Sequence, residues 1–167
     1  MVKDIKMPEN VKMILDKLSS KGYEAVIIGG CVRDSIMGIE PHDWDIATSA
    51  QPEEIIECFK HYNLMKAELK HGTVTVIIDH EPYEITTYRI DGEYSDHRRP
   101  DSVDFTCDLA EDIMRRDFTI NAIAYDGENI IDLHDGIGDL QKGIIRCVGN
   151  ANARFREDPL RILRAIR

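Results

Sequence analysis

Four consecutive apolar residues, Ala25-Val26-Ile27-Ile28, run straight into Gly29-Gly30. A short unbroken apolar run bounded by a turn signal reads as a buried strand, so this chain must build a sheet that covers it. Its neighbours alternate in type. Val11, Ile14, Leu15 and Leu18 form an i, i+3, i+4, i+7 stripe, which predicts a helix from Pro8 to about Ser20, with Gly22 as a stop. After Gly30, Val32 to Met37 reads as a short helix stopped by Gly38, and Trp44 to Ala47 as a strand. Thr48 or Ser49 is then expected to cap a helix that carries Pro52 in its first turn. The period then changes to two: Thr73–Ile78 and Tyr83–Tyr88 predict a hairpin around Asp79-His80-Glu81-Pro82. The polar stretch Asp91–Pro100 reads as an exposed loop before a strand at Val103–Phe105. Leu109–Arg115 reads as helix, Ile120–Tyr125 as helix or strand, and Ile130–Leu133 and Ile144–Val148 as strands. Asp158-Pro159 is an N-cap and first-turn pair opening a basic helix, LRILRAIR. That helix runs to Arg167 without a terminator, so the chain is expected to be the N-terminal piece of something longer.

Composition narrows the classes. At 167 residues with 43% hydrophobic and 31% charged, the chain suits about one soluble globular domain. No stretch approaches the roughly 18 apolar residues of a membrane span, and the charged N-terminal residues lack a signal-peptide core, so a cytoplasmic protein with no membrane partner is expected. The net charge of −10 argues against a simple electrostatic nucleic-acid binder and leaves room for carboxylates that hold metal ions. Cys31, Cys58, Cys107 and Cys147 form no CxxC pair and are expected to be reduced and mostly buried.

Several clusters carry possible chemistry. In Asp43-Trp44-Asp45, at the start of a strand, positions i and i+2 project to one face. Two adjacent carboxylates repel unless a cation lies between them, and hard oxygen ligands suit magnesium; an acidic strand edge or capping turn is the alternative. Gly29-Gly30 after a strand, followed by Arg33-Asp34 on a helix, allows close approach to an anion, but matches neither a P-loop nor a dinucleotide fingerprint. Glu84 is the candidate third carboxylate of a two-metal site, or an exposed strand residue. The segment Arg115-Arg116-Asp117-Phe118-Thr119-Ile120-Asn121 mixes phosphate donors with Asp and Asn suited to hydroxyls, or is a capped helix junction. Asp158, Arg161, Arg164 and Arg167 recur every three residues, either as a solvated helix end or as a bidentate wall for a base or phosphate.

Read together, GGCVRDSIMGIEPHDWDIATSAQPEE (29–54), HGTVTV (71–76), YEITTYRIDGEYSDHRRPDSVDF (83–105), RRDFTINAIAYD (115–126) and REDPLRILRAIR (156–167) resemble the bacterial-type tRNA nucleotidyltransferases, the CCA-adding enzymes. These belong to the polymerase β-like nucleotidyltransferase superfamily and share their head with bacterial poly(A) polymerases. The resemblance implies an α/β (α+β) head with a mixed, largely antiparallel sheet flanked by helices over 1–149, and the start of a helical neck over 150–167. It implies two Mg2+ ions on Asp43, Asp45 and Glu84, and nucleotide contacts from Gly29, Gly30, Arg33, Asp34, Arg116, Asp117 and Asn121. Asp158 and Arg161 would pair with the Watson–Crick edge of CTP or ATP, supported by Arg164 and Arg167. The implied partner is a tRNA 3′ end rather than DNA, gripped mainly by helices that follow the head in such enzymes. Trp44 is bulkier than the aliphatic residue usual between the two aspartates, and Pro159 is unusual in the last motif. A stretch less basic than that of poly(A) polymerases at LKHGTVTV, and the presence of the loop DGEYSDHRRP, favour CCA addition over poly(A) synthesis and CC addition. A specialist A-adding enzyme and a non-catalytic nucleotide-binding or RNA-interaction module remain as alternatives.

Overall fold

A computed structural model describes residues 4–97 and 100–166. The apolar run is β1 (Ala25–Ile28), and its side chains divide by parity between two cores. Ala25 and Ile27 join the cluster that holds Val11, Ile14, Leu15 and Leu18 of α1 (Glu9–Ser19) and Ile55 and Cys58 of α3 (Pro52–Cys58). Val26 and Ile28 join a smaller cluster on the other face with Tyr88, Val148 and Ile113 of α4 (Leu109–Met114). The strand is therefore apolar at every position because both of its faces are covered.

Between α1 and α3, β1 leads into α2 (Gly30–Ile36) and then β2 (Ile46–Thr48). Further on come β3 (Asn63–Met65), a 3-10 turn at Leu69–His71, β4 (Thr73–Ile78) and β5 (Glu81–Thr87). The chain closes the main sheet with β8 (Ile123–Tyr125) and β9 (Ile130–Asp132), after a separate ribbon of β6 (Arg89–Asp91) and β7 (Val103–Phe105). Sheet order is β3-β4-β5-β2-β1-β8-β9. Every neighbouring pair is antiparallel except β2–β5, so the sheet is mixed and largely antiparallel, as expected. The β4–β5 hairpin turns on Asp79 and His80 alone, both with positive φ (53° and 69°), so Glu81 and Pro82 belong to the strand rather than the turn.

Other expectations are corrected. Asp43-Trp44-Asp45 lies just ahead of β2 rather than on it. Gln51 caps α3, its N–H donating to Glu54 Oε2 at 2.7 Å, while the Thr48 and Ser49 hydroxyls bond the Glu24 backbone across the sheet. Residues 144–148 form no strand; they follow α5 (Gly136–Lys142), and Cys147 makes an isolated bridge with Phe118, itself outside the sheet. The polar α6 (Ala151–Glu157) precedes the expected last helix, α7 (Leu160–Ile166). All four cysteines are free, but Cys107 is exposed and Cys147 half-buried; burial pushes the Cys31 thiol up to about 11.

Candidate active site

The site grows from the point where β1 stops. Gly29 adopts φ +91° and ψ −135°, a conformation that only glycine takes without strain. Its N–H donates to the Ile123 carbonyl at 3.1 Å, and the Ile28 N–H donates to the Asp45 carbonyl at 3.1 Å. The glycine thus lies between the aspartate segment on one side and β8 on the other. One turn into α2, Arg33 donates from Nη1 to Asn121 Oδ1 (2.6 Å) and from Nε to Asp34 Oδ1 (2.8 Å). Asn121 in turn donates to Asp117 Oδ1 at 3.2 Å. Three segments distant in sequence are so joined edge to edge.

The carboxylates meet through the one parallel pairing. Among the described residues this is β2 with β5: Ile46 is opposite Ile85 in register, which sets Asp45, just ahead of β2, beside Glu84 in the middle of β5. Burial, then the charges of Asp45, Glu68 and Asp43, raise the Glu84 carboxyl above its ordinary range. Asp45 is raised by burial and by Asp43, against the pull of Arg116. Such mutually repelling oxygen donors fit a divalent cation, whose charge would relieve them. Among the described residues, no three His, Cys, Asp or Glu side chains are gathered tightly enough to hold a metal alone. Glu68 is a fourth acidic neighbour that the sequence reading did not single out.

Beyond Asp45 opens a cleft of about 400 Å³ with a wall rich in arginine. Gly29, Gly30, Arg33, Asp45, Arg116, Asp117, Asn121, Asp158, Arg161 and Arg164 all line it. Asp34 stands behind Arg33, while Asp43 and Glu84 press on Asp45 from outside the lining; Arg167 lies outside the described residues. Arg115, part of the arginine-rich segment singled out above, lines the cleft as well, and so do Arg89, Asp91 and Tyr94, which were not anticipated. Arg89 Nε donates to Asp91 Oδ1 at 3.2 Å, Tyr94 Oη donates to Asp91 Oδ2 at 2.7 Å, and Arg89 Nη1 bonds the His71 carbonyl. Behind them, Asp112 accepts from Arg115 Nε (2.9 Å) and Arg116 Nη2 (3.0 Å). Burial would raise its carboxyl, but Arg116 and Arg115 outweigh that and hold it low. The (i, i+3) and (i, i+4) spacing of 112, 115 and 116 was the available signal for these pairs.

At the far end, Asp158 Oδ1 accepts from the Leu160 N–H at 3.0 Å, so it caps α7 as expected, and Oδ2 accepts from Arg164 Nη2 at 3.0 Å. Arg161 is buried under Tyr94, its guanidinium 5.9 Å from the ring centroid. Its Nη1 donates to Glu157 Oε2 (2.6 Å) and the Arg154 carbonyl (3.0 Å), and Nη2 to the Arg115 carbonyl (3.3 Å). The cleft thus joins acidic oxygens at one end, guanidinium donors along its wall, and an Asp with an Arg at the other end. A polyanion with a hydrogen-bonding head group suits that sequence of chemistries.

Known proteins carry the same architecture. A CCA-adding enzyme of Oceanobacillus iheyensis is 56% identical over 155 residues, 92% of this chain and 38% of the relative. The crystal structure of Bacillus stearothermophilus CCA-adding enzyme in complex with CTP superposes with a TM-score of 0.84 at 41% identity, over 96% of this chain and 39% of that one. The Thermotoga maritima CCA-adding enzyme complexed with tRNA_CCA gives a TM-score of 0.75 at 28% identity, over 97% of this chain and 38% of that one. The chain spans about two fifths of the length of the curated relatives it matches. The family model for the poly A polymerase head domain matches residues 25–146, a stretch that holds every strand of the sheet and the whole cleft apart from its Asp158–Arg164 end. The chain belongs to that family.

Proposed function

We propose that residues 1–149 are the catalytic head of a CCA-adding tRNA nucleotidyltransferase and that 150–167 open its helical neck. In the proposed reaction the 3′-hydroxyl of a tRNA attacks the α-phosphate of CTP or ATP and pyrophosphate leaves. The observation that carries the reading is the single cleft in which Asp45, the arginine wall and the Asp158–Arg161 pair meet. Asp43, Asp45 and Glu84 would hold the Mg2+ ions, two in this proposal, which would activate the hydroxyl and offset the charge on the leaving pyrophosphate. Arg33 and Arg116 take triphosphate oxygens, beside the backbone of Gly29 and Gly30, where no side chain obstructs the anion. Asp34 steadies Arg33, and Asp117 and Asn121 face the ribose. Cytosine and adenine both present an amino group beside a ring acceptor. An Asp acceptor next to an Arg donor therefore suits them and not uracil or guanine. For that, Asp158 and Arg161 must exchange their present partners, Arg164 and Glu157, for the base. Arg164 and Arg167 support the pair. A cytoplasmic setting is part of this proposal; among the described residues no helix is long and apolar enough to cross a membrane.

Calorimetric titration of the chain with CTP, ATP, UTP and GTP in the presence of Mg2+ tests the reading. Binding of CTP and ATP alone, lost in Asp43→Ala/Asp45→Ala, is expected. ATP alone would instead indicate a poly(A) polymerase or A-adding head. Equal binding of all four would remove the account of base choice, and no binding would overturn the nucleotide site.

A further inference from the structure

Asp112 has no role in the chemistry proposed above, yet its carboxylate accepts three hydrogen bonds beside the cleft. It is 0% exposed, and it accepts from the Arg89 backbone N–H (3.1 Å) as well as from Arg115 and Arg116. Arg116 is held by one edge only. Its Nε is buried without a partner among the described residues, and its Nη1 faces the space above Gly29. A side chain placed on Gly29 would find Arg116 Nη1 at 3.7 Å and Asp45 Oδ2 at 3.8 Å, so guanidinium and carboxylate flank the same small volume. Nevertheless, no ion pair joins Arg116 to Asp45 among the described residues, whereas Arg116 Nη2 is 3.0 Å from Asp112 Oδ2. A guanidinium N–H and a carboxylate that flank one small volume attract each other, and Asp112 is the anion that competes for this guanidinium.

We infer that Asp112 is a positioning residue that holds Arg116 off Asp45, leaving that carboxylate open to a divalent cation while Arg116 keeps Nη1 in the cleft. The buried pair is then a device that stops a closer-lying, self-blocking pair from forming. The inference rests on the nucleotidyl-transfer reading only for the assignment of Asp45 to the cation.

Asp112→Asn keeps the shape and one acceptor but removes the charge. With the 167-residue chain, the Mg2+ concentration that half-saturates CTP binding, followed by calorimetry, is expected to rise about five- to tenfold in this variant. The shift is expected to vanish in an Arg116→Gln background, where nothing remains to be held back. Mn2+ binding without nucleotide, read by loss of the free-ion electron paramagnetic resonance signal, is expected to weaken in parallel. A merely structural Asp112 would lower CTP affinity at every Mg2+ concentration, and its effect would persist without Arg116; either result overturns the inference. If wild-type chain bound no CTP, the functional reading would fall while the Mn2+ titration still decided the role of Asp112. If Asp112→Asn failed to fold, Arg116→Lys, which keeps the charge but not the fork, is expected to weaken Mn2+ binding. Unchanged or tighter binding there overturns the inference too.

Discussion

Gly29 and Asp45 show how far single residues here are set by chemistry rather than by stability. At Gly29 an added Cβ would meet nothing closer than 3.7 Å, so the objection to a side chain is backbone strain at φ +91° and not space. Gly29→Ala is expected to cost about 1–3 kcal/mol, measured by denaturant unfolding, with no rearrangement of the side chains around it. Asp45 is the reverse case. Burial and Asp43 raise its carboxyl, so the charged form is uncomfortable in the metal-free fold. Asp45→Asn is therefore expected to raise the melting temperature of the metal-free chain at pH 7, by about 2–4 °C for each kcal/mol of repulsion relieved, while Mg2+-dependent CTP binding is lost. The sequence made Asp45 legible as one of a closely spaced acidic pair. It did not reveal Asp112, because an acidic residue in the first turn of α4 reads as an ordinary dipole partner, and only the tertiary fold buries it.

Elements whose burial is written in their periodicity, such as α1, β1 and the β4–β5 hairpin, were legible to within a residue or two. Those held by particular contacts were not. The helix α5 contains Gly136 and Gly138, poor helix formers, and exists because Asp132 accepts the N–H groups of Gly136 and Ile137, while Asp139 receives the Thr119 hydroxyl and Arg146. A Cβ on Gly136 would lie 2.3 Å from the Thr119 carbonyl oxygen, which is backbone and cannot rotate away. Gly136→Ala is expected to shift the 3-10 turn Thr119–Asn121, costing about 1–3 kcal/mol and weakening CTP binding through Asn121. In contrast, His80 occupies a left-handed position that glycine fills without penalty. His80→Gly is expected to stabilise the chain by about 1 kcal/mol in thermal melting, leaving nucleotide binding unchanged.

For the molecule as a whole, two sets of carboxylates pull in opposite directions with pH. Asp45 and Glu84 are raised, so whatever they subtract from stability is relieved as pH falls through their folded-state values. Asp112 and Asp139 are lowered, so what they add is present above the ordinary carboxylate range and is lost as pH falls below about 4. The metal-free chain is thus expected to gain stability as pH falls from 7 through the raised values of Asp45 and Glu84 and to lose it below about 4, where Asp112 and Asp139 protonate; excess Mg2+ with CTP should flatten the first limb. Urea unfolding across that range, with and without both, is the check. The net charge of −10 adds to the same trend, since protonation relaxes self-repulsion. The parallel pairing of β2 with β5 also bears on how the chain folds. The pair closes only after the whole β2-α3-β3-β4-β5 crossover has been gathered in, and it brings two repelling carboxylates together. Closing the pair thus works against charge repulsion, and refolding of the metal-free chain should quicken as those carboxylates are neutralised.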